Sequence, residues 1–295
     1  MTRKLVALLH QITRRRLLII SSFIFVLFLI TPAIASINIE TEAKIIVDAM
    51  KAGELVPLST LEEEEKTEDN VYKIQEIVFK SIIESNNDSV AGYKGAITAA
   101  AQIARFKAPG PATAPLLKSG LTEIKDVSVP LSLEYFPGMM LEAEFTFKTA
   151  VPITSPVKDE EELKKLIASV HASIEIPKLY FTDMSKLGFF DLVSAGAGSK
   201  NFVVGTAHNT DLDVDSMQVI MTRDGTVVIE GKGTDVLGGP WKSLLWMVNN
   251  ILVRQGPIEA GQYLMTGAMG SMIPAQPGEY VLTFPFETLK FEVKE

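Results

Sequence analysis

The sequence predicts an α+β protein, helical in its N-terminal part and strand-rich beyond it. Two observations carry this. Helical spacing of apolar residues dominates residues 36–120, and from about Val127 period-two alternation takes over. A chain of 295 residues with 47% hydrophobic content can bury one sizeable core, or one core plus a small lobe. The expected division is therefore a leader over 1–35, a helical lobe over 36–120 and a β-rich core over 121–295.

The leader comes first. Arg3, Lys4, Arg14, Arg15 and Arg16 precede the apolar run Leu17–Ile30, and Pro32 and Ala33-Ile34-Ala35 follow. A basic stretch, an apolar stretch and an A-x-A site form the pattern of a secretory signal peptide, with cleavage expected after Ala35. The apolar run falls short of the roughly 20 residues of a spanning helix, so an uncleaved anchor ranks behind cleavage. Thr13-Arg14-Arg15-Arg16-Leu17-Leu18 also resembles a twin-arginine export signal, although Ile19 stands where that motif prefers Lys. The expected location is periplasmic or secreted, with membrane contact only through this segment if it stays uncleaved.

In the helical part, Ala43, Ile46, Val47 and Met50 share one helical face and Gly53 is a stop signal. Glu62–Glu65 reads as a solvated loop or face. Thr67-Glu68-Asp69 is a capping cluster for a second helix with Val71, Ile74 and Val78 inward, broken by Asn86-Asn87-Asp88. Pro109, Gly110, Pro111, Pro115 and Gly120 predict an irregular loop, a suitable place for a lid. Further on, Leu163, Leu166, Ile167 and Val170 have the spacing of a helix over 159–170. Arg223-Asp224-Gly225-Thr226 reads as a hairpin turn. Gly239-Pro240 opens a last helix with Leu244, Val248, Ile251 and Leu252 as its core stripe, ending at Gly256.

Charge and composition exclude some partners. Beyond Ala35 the chain holds 23 basic against 36 acidic side chains, a net −13. Such an acidic body is unsuited to nucleic acid, whose phosphates need clusters of Lys and Arg. Cys is absent, which removes disulfides, thiolate nucleophiles and zinc–sulfur sites.

The stretch Leu141-Glu142-Ala143-Glu144-Phe145-Thr146-Phe147 alternates strictly. It predicts a strand with Leu141, Ala143, Phe145 and Phe147 on one face and Glu142 and Glu144 on the other. Taken alone, the acidic outer face of a half-solvated strand is the commoner explanation. Two carboxylates converging from one strand also repel each other, which an oxygen-loving divalent cation would relieve. Glu175 is a third candidate, because Ile174 and Ile176 flank it on the segment after the 159–170 helix.

Leu-Glu-Ala-Glu-Phe, then about thirty residues, then Ile-Glu-Ile resembles the metal-binding pattern of the 2-hydroxypenta-2,4-dienoate (2-keto-4-pentenoate) hydratases and 4-oxalocrotonate decarboxylases. These form one branch of the fumarylacetoacetate hydrolase superfamily. Other segments match in order. Thr67-Glu68-Asp69-Asn70-Val71-Tyr72-Lys73-Ile74-Gln75 is similar to the family's T-E-E-D-A-Y-x-I-Q, and Val90–Thr98 to its V-G-Y-K-x-G-L-T. Arg223-Asp224-Gly225, Gly231-Lys232-Gly233, Val236–Pro240, Ile258-Glu259-Ala260-Gly261, Met265-Thr266-Gly267 and Gln276-Pro277-Gly278-Glu279 resemble its C-terminal half. The resemblance covers nearly all of residues 40–295.

It implies a mixed β-roll or sandwich core with peripheral helices, assembled as a homo-oligomer. It also implies that Glu142, Glu144 and Glu175 hold Mg²⁺ or Mn²⁺, that Lys94 is the catalytic lysine, and that Tyr93, Thr98, Thr266 and Gly267 contact substrate. A hard cation so held chelates a 2-oxo or 2-hydroxy acid, and a lysine near it moves protons during ketonisation. The implied reaction is hydration of a 2-hydroxy-2,4-dienoate to a 4-hydroxy-2-oxo acid. Decarboxylation of a 2-oxo-3-enedioate, or metal-dependent binding of oxo acids without catalysis, are the alternatives. The chain departs from the family in three respects. Val193-Ser194-Ala195-Gly196-Ala197 stands where A-D-N-A is common, Ala96 stands where Gly is usual, and an export signal is unexpected.

Other signals are set aside. Asp211-Leu212-Asp213-Val214-Asp215 starts like a calcium loop, but Ser216 and Thr222 occupy the places of its Gly and Glu. Ser155-Pro156-Val157-Lys158 matches S-x-x-K without its companion motifs. Gly196-Ala197-Gly198-Ser199-Lys200 lacks the spacing of a phosphate loop, and Asn87-Asp88-Ser89 matters only in a glycosylating host. His171, expected on the 159–170 helix and its exit, and His208 read as structural.

Overall fold

The computed structural model describes residues 38–295. The leader expected over 1–35 lies outside the described residues. Helix α1 spans 38–52 and stops at Gly53, whose φ is +70°. Helix α2 is Glu68–Asn86, and the Thr67 hydroxyl accepts from the Asn70 amide as its N-cap. It ends where Asn87 turns left-handed, as the sequence predicts. Then come β1 (Val90–Ala96), α3 (Ala100–Phe106), β2 (Ala112–Leu117), β3 (Leu121–Glu123), β4 (Leu131–Glu134) and β5 (Met140–Thr149). The next are α4 (Glu160–Lys164), β6 (Ile167–Ile176), α5 (Phe189–Ser194), β7 (Asn201–Val204), β8 (Gln218–Arg223) and β9 (Thr226–Lys232). The chain closes with α6 (Pro240–Arg254), β10 (Tyr263–Pro274), β11 (Gly278–Thr283) and β12 (Thr288–Lys294).

The strands form two mixed sheets. One has seven strands in the order β2-β1-β10-β5-β6-β7-β3, the other five in the order β4-β12-β11-β8-β9. They pack face to face over one apolar core. Leu141, Ala143, Phe145 and Phe147 of β5 and Val170, Ala172, Ile174 and Ile176 of β6 enter it from the first sheet. Val219, Met221, Leu282, Leu289 and Phe291 enter from the second, and Leu244, Val248 and Ile251 of α6 close it. Phe145 meets Phe284 edge-on with ring centroids 5.3 Å apart, and truncating such a buried phenyl costs about 3–5 kcal/mol. The hairpin predicted at Arg223–Thr226 joins β8 to β9, with Asp224 and Gly225 both at positive φ.

The other face of the seven-stranded sheet is covered, not half-solvated. A second core built from α1, α2, α5 and the segment Leu179–Leu187 lies against it. This helical layer buries the acidic side of β5.

Three expectations are corrected. The helix predicted over 159–170 stops at Lys164, and Ile167–Ile176 is a strand pairing with β5 from Glu142↔Glu175 to Thr149↔Ile167. Local spacing favours a helix there, but Ile167, Val170, Ile174 and Ile176 are β-branched and their cross-strand burial wins. His171 consequently lies on a strand. The Pro- and Gly-rich stretch is not an irregular lid: it contains β2, with Pro115 opposite Tyr93. A proline is tolerated because β2 is an edge strand. Finally, β1 and β2 belong to the same sheet as β5, β6 and β10, so the boundary expected at 120 runs through one sheet.

Candidate metal centre

Glu142 and Glu144 rise from one face of β5 because side chains alternate along a strand. The antiparallel register sets Glu175 of β6 directly opposite Glu142. The three carboxylates converge beneath the helical layer, each offering an oxygen within 4.8 Å of the others. All three are buried, Glu144 completely. The Gly267 amide donates to Glu144 Oε2 at 2.8 Å. This is possible because β10 is irregular between Met265 and Ala268, a bulge that turns the amide toward β5. Ser173, also on the polar face of β6, donates to the Glu144 carbonyl and lies 2.7 Å from the Thr146 hydroxyl.

Lys94 comes from β1, and its ammonium donates to Glu175 Oε1 and, at 2.9 Å, to the Ala197 carbonyl. Burial alone would push this ammonium's pKa down. Glu175, Glu142 and Glu144 outweigh burial and hold it above the ordinary lysine value. Burial, reinforced by the Glu175 charge, pushes Glu142 up to about 8. Burial and the charges of Glu175 and Glu142 likewise push Glu144 well above the carboxylate range.

The residues fit a hard divalent cation. Ionised together, the three carboxylates would leave two negative charges against the Lys94 ammonium in a water-poor space, which such a cation would cancel. Glu144 Oε1 and Glu175 Oε2 are buried without a hydrogen-bond partner, although buried polar atoms are nearly always paired. An oxygen-only donor set suits magnesium or manganese better than zinc or copper.

Beside the carboxylates is a cavity of about 40 Å³. Lys94, Glu142, Thr98, Gln102 and Ala268 border it, and Ile97, Phe106, Leu179, Leu192 and Met272 make it apolar. Of the residues expected at the site, Glu142, Glu144, Glu175, Lys94 and Thr98 are brought together, and Gly267 reaches them through its amide. Tyr93 is not: the alternation that turns Lys94 inward turns Tyr93 into the core between the sheets. The Thr266 side chain is also directed elsewhere, its hydroxyl donating to the Phe145 carbonyl. Ser173, Gln102 and the Ala197 carbonyl escape the sequence reading. Reading Ile167–Ile176 as a strand would have placed Ser173 beside Glu175. Nothing in the composition marks a backbone carbonyl.

No protein-family model matches the chain. It is similar to a 4-oxalocrotonate decarboxylase of Pseudomonas sp. (strain CF600), 29% identical over 143 residues, or 48% of this chain and 54% of that one. It is similar to a 2-keto-4-pentenoate hydratase of Paraburkholderia phymatum, 28% identical over 148 residues, or 50% of this chain and 56% of that one. The chain thus spans about half the length of the curated relatives it matches.

Among solved structures, 4-oxalocrotonate decarboxylase from Pseudomonas putida G7, complexed with magnesium and adipate, superposes with a TM-score of 0.77 at 22% identity. That match covers 87% of this chain and 97% of the other. Fumarylpyruvate hydrolase from Pseudomonas aeruginosa, in complex with Mn²⁺ and pyruvate, gives a TM-score of 0.54 at 11% identity over 68% and 88%. In sequence the chain is therefore similar, over about half its length, to 2-keto-4-pentenoate hydratases and 4-oxalocrotonate decarboxylases, and it shares the fold of the solved 4-oxalocrotonate decarboxylase.

Proposed function

We propose that the protein is a divalent-metal-dependent lyase that hydrates a 2-hydroxy-2,4-dienoate to a 4-hydroxy-2-oxo acid. The observation that carries this reading is the buried Glu142–Glu144–Glu175 cluster with Lys94 bound to Glu175. The three glutamates would hold Mg²⁺ or Mn²⁺, which supplies Lewis acidity toward the vicinal oxygens of the oxo acid. Lys94 holds a proton at Nζ between Glu175 and the Ala197 carbonyl. Moving that proton to the terminal carbon of a dienol, while the 2-hydroxyl proton returns to Lys94, gives a conjugated 2-oxo-3-enoate, to which water adds at C4. The apolar wall of Ile97, Phe106, Leu179, Leu192 and Met272 keeps bulk water from competing.

Decarboxylation of a 2-oxo-3-enedioate is the second reading, favoured by the long structural match to a decarboxylase. Against it, Lys94 is the only cation among the described residues of the wall, and a second substrate carboxylate would meet mainly apolar side chains. A non-catalytic oxo-acid binder is the third reading, suggested by Ala195 and Gly196 in place of a charged and an amide residue. Export by residues 1–35 and assembly as a homo-oligomer are part of the proposal.

The test is ultraviolet-monitored turnover of 2-hydroxypenta-2,4-dienoate with and without Mn²⁺. Metal-dependent loss of diene absorbance, abolished in Glu144→Ala, supports the hydratase. Turnover of 2-oxo-3-enedioate alone selects the decarboxylase, and metal binding with no turnover of either selects the binder. Glu142→Ala or Glu175→Ala with unchanged Mn²⁺ affinity would sink the metal assignment.

A further inference from the structure

A second cavity, of about 330 Å³, lies across the wall that closes the metal centre. The wall consists of two segments whose residues divide between the two spaces. Pro177 and Leu179 border the metal centre, whereas Lys178 and Tyr180 border the second cavity. Ala197 borders the first, and Gly198, Ser199 and Lys200 border the second. The cavity is within the size range of small-molecule sites.

Its lining combines aromatic carbon with positive charge. Phe79, Tyr180 and Phe181 supply the rings, with Val56, Ile82 and Leu117 beside them. Lys51, Lys178 and Lys200 stand against a single carboxylate, Glu54. None of the three lysines forms an ion pair among the described residues. Such a trio is unexpected in a body where acidic side chains outnumber basic ones. The Lys178 ammonium lies 4.6 Å from the centroid of the Tyr180 ring. Burial and the neighbouring Lys200 hold its pKa below the ordinary lysine value, so an anion there would relieve an existing repulsion. Ser199, whose Oγ is buried without a hydrogen-bond partner, belongs to the same lining.

We propose that this cavity is a second ligand site, one that takes an aromatic carboxylate. The ring lies among Phe79, Tyr180 and Phe181, and the carboxylate faces Lys178 and Lys200. The rings supply affinity through apolar burial, and the lysines select an anion over a neutral arene. The site uses no residue of the metal centre, so it is testable whatever reaction that centre performs.

The experiment is calorimetric titration of the full chain with 2-naphthoate, in EDTA so that no metal competes for the probe. Saturable binding is expected at one site per chain. Lys178→Met combined with Lys200→Met should weaken binding by about tenfold or more, and 2-naphthalenemethanol should bind the wild type about tenfold more weakly than the acid. Unchanged Mn²⁺ affinity shows that the double variant is folded. Glu142→Gln should leave 2-naphthoate affinity within about twofold. No saturable binding, equal binding by the double variant, or loss of binding in Glu142→Gln would each overturn the assignment.

Discussion

Lys94 on β1 donates to Glu175 on β6, and the two side chains are 3% and 1% exposed. Strands β10 and β5 lie between them in the sheet. The pair bridges this gap from one face, where Ala268 of β10 presents only a methyl group to the cavity. A buried ion pair is costly to desolvate, so this one is a poor source of stability.

Lys94→Gln should lower turnover by about 10²–10⁴-fold, the usual worth of a positioned proton donor. Mn²⁺ affinity should hold or rise, because a competing cation has left the site. Steady-state kinetics beside metal titration separates the two effects. A loss of metal binding equal to the loss of turnover would give Lys94 a structural role.

The raised pKa of Glu142 makes the metal-free protein pH-sensitive. Its folded value of about 8 lies above the value of 4.5 for a free glutamate, so between these the native state holds a proton that the unfolded chain has released. The stability contributed by the neutral acid is complete below the lower value and is lost as pH rises through about 8. Thermal melts in EDTA should therefore fall across this window. Mn²⁺ takes the place of the proton, so its affinity should rise with pH up to about 8. Calorimetry in buffers of different ionisation enthalpy should detect proton release. A pH-independent affinity would refute the coupling.

Gly267→Ala tests the bulge in β10. The residue sits at φ +112°, and an added Cβ would run into the Thr98 side chain. Forcing it should cost about 1–3 kcal/mol and withdraw the amide from Glu144. Mn²⁺ affinity should then fall about 10–100-fold, as for other losses of ligand-orienting contacts. Chemical denaturation and metal titration measure the two effects.

Gln75 ties the helical layer to the sheet. Its amide donates to the carbonyls of Thr113 and Val193 and its oxygen accepts from Gln255, and the residue is buried. Gln75→Ala leaves those carbonyls short of a donor and should cost about 1–3 kcal/mol in denaturant melts. It should also weaken activity, because α5 supplies Leu192 to the cavity wall. A variant as stable as the wild type would show that water replaces the amide.

The leader has its own test. N-terminal sequencing of protein recovered from the host should begin at Ser36, whereas Met1 would exclude cleavage after Ala35.

Much was legible in the chain because it depends on neighbours in sequence. The Thr67 cap, the Asn87 stop, the Asp224-Gly225 turn and the Pro240 helix start are set by local chemistry. Alternation alone put Glu142 and Glu144 on one face and Glu175 opposite the flanking isoleucines. The burial of those acids was not legible, since it depends on Phe106, Leu179, Leu192 and Ala197 closing over them from distant stretches of chain. The 159–170 helix was misread because its spacing satisfies a helix until cross-strand pairing with β5 is counted. Tyr93 was misplaced for a related reason, because only the pairing of β1 with β10 and β2 settles which neighbour of Lys94 faces the cavity. The residue types and their order therefore determined the donor set and the strands that carry it. The tertiary structure decided that the carboxylates meet, that Lys94 joins them and that water is kept away, because convergence and burial come from segments far apart in the chain.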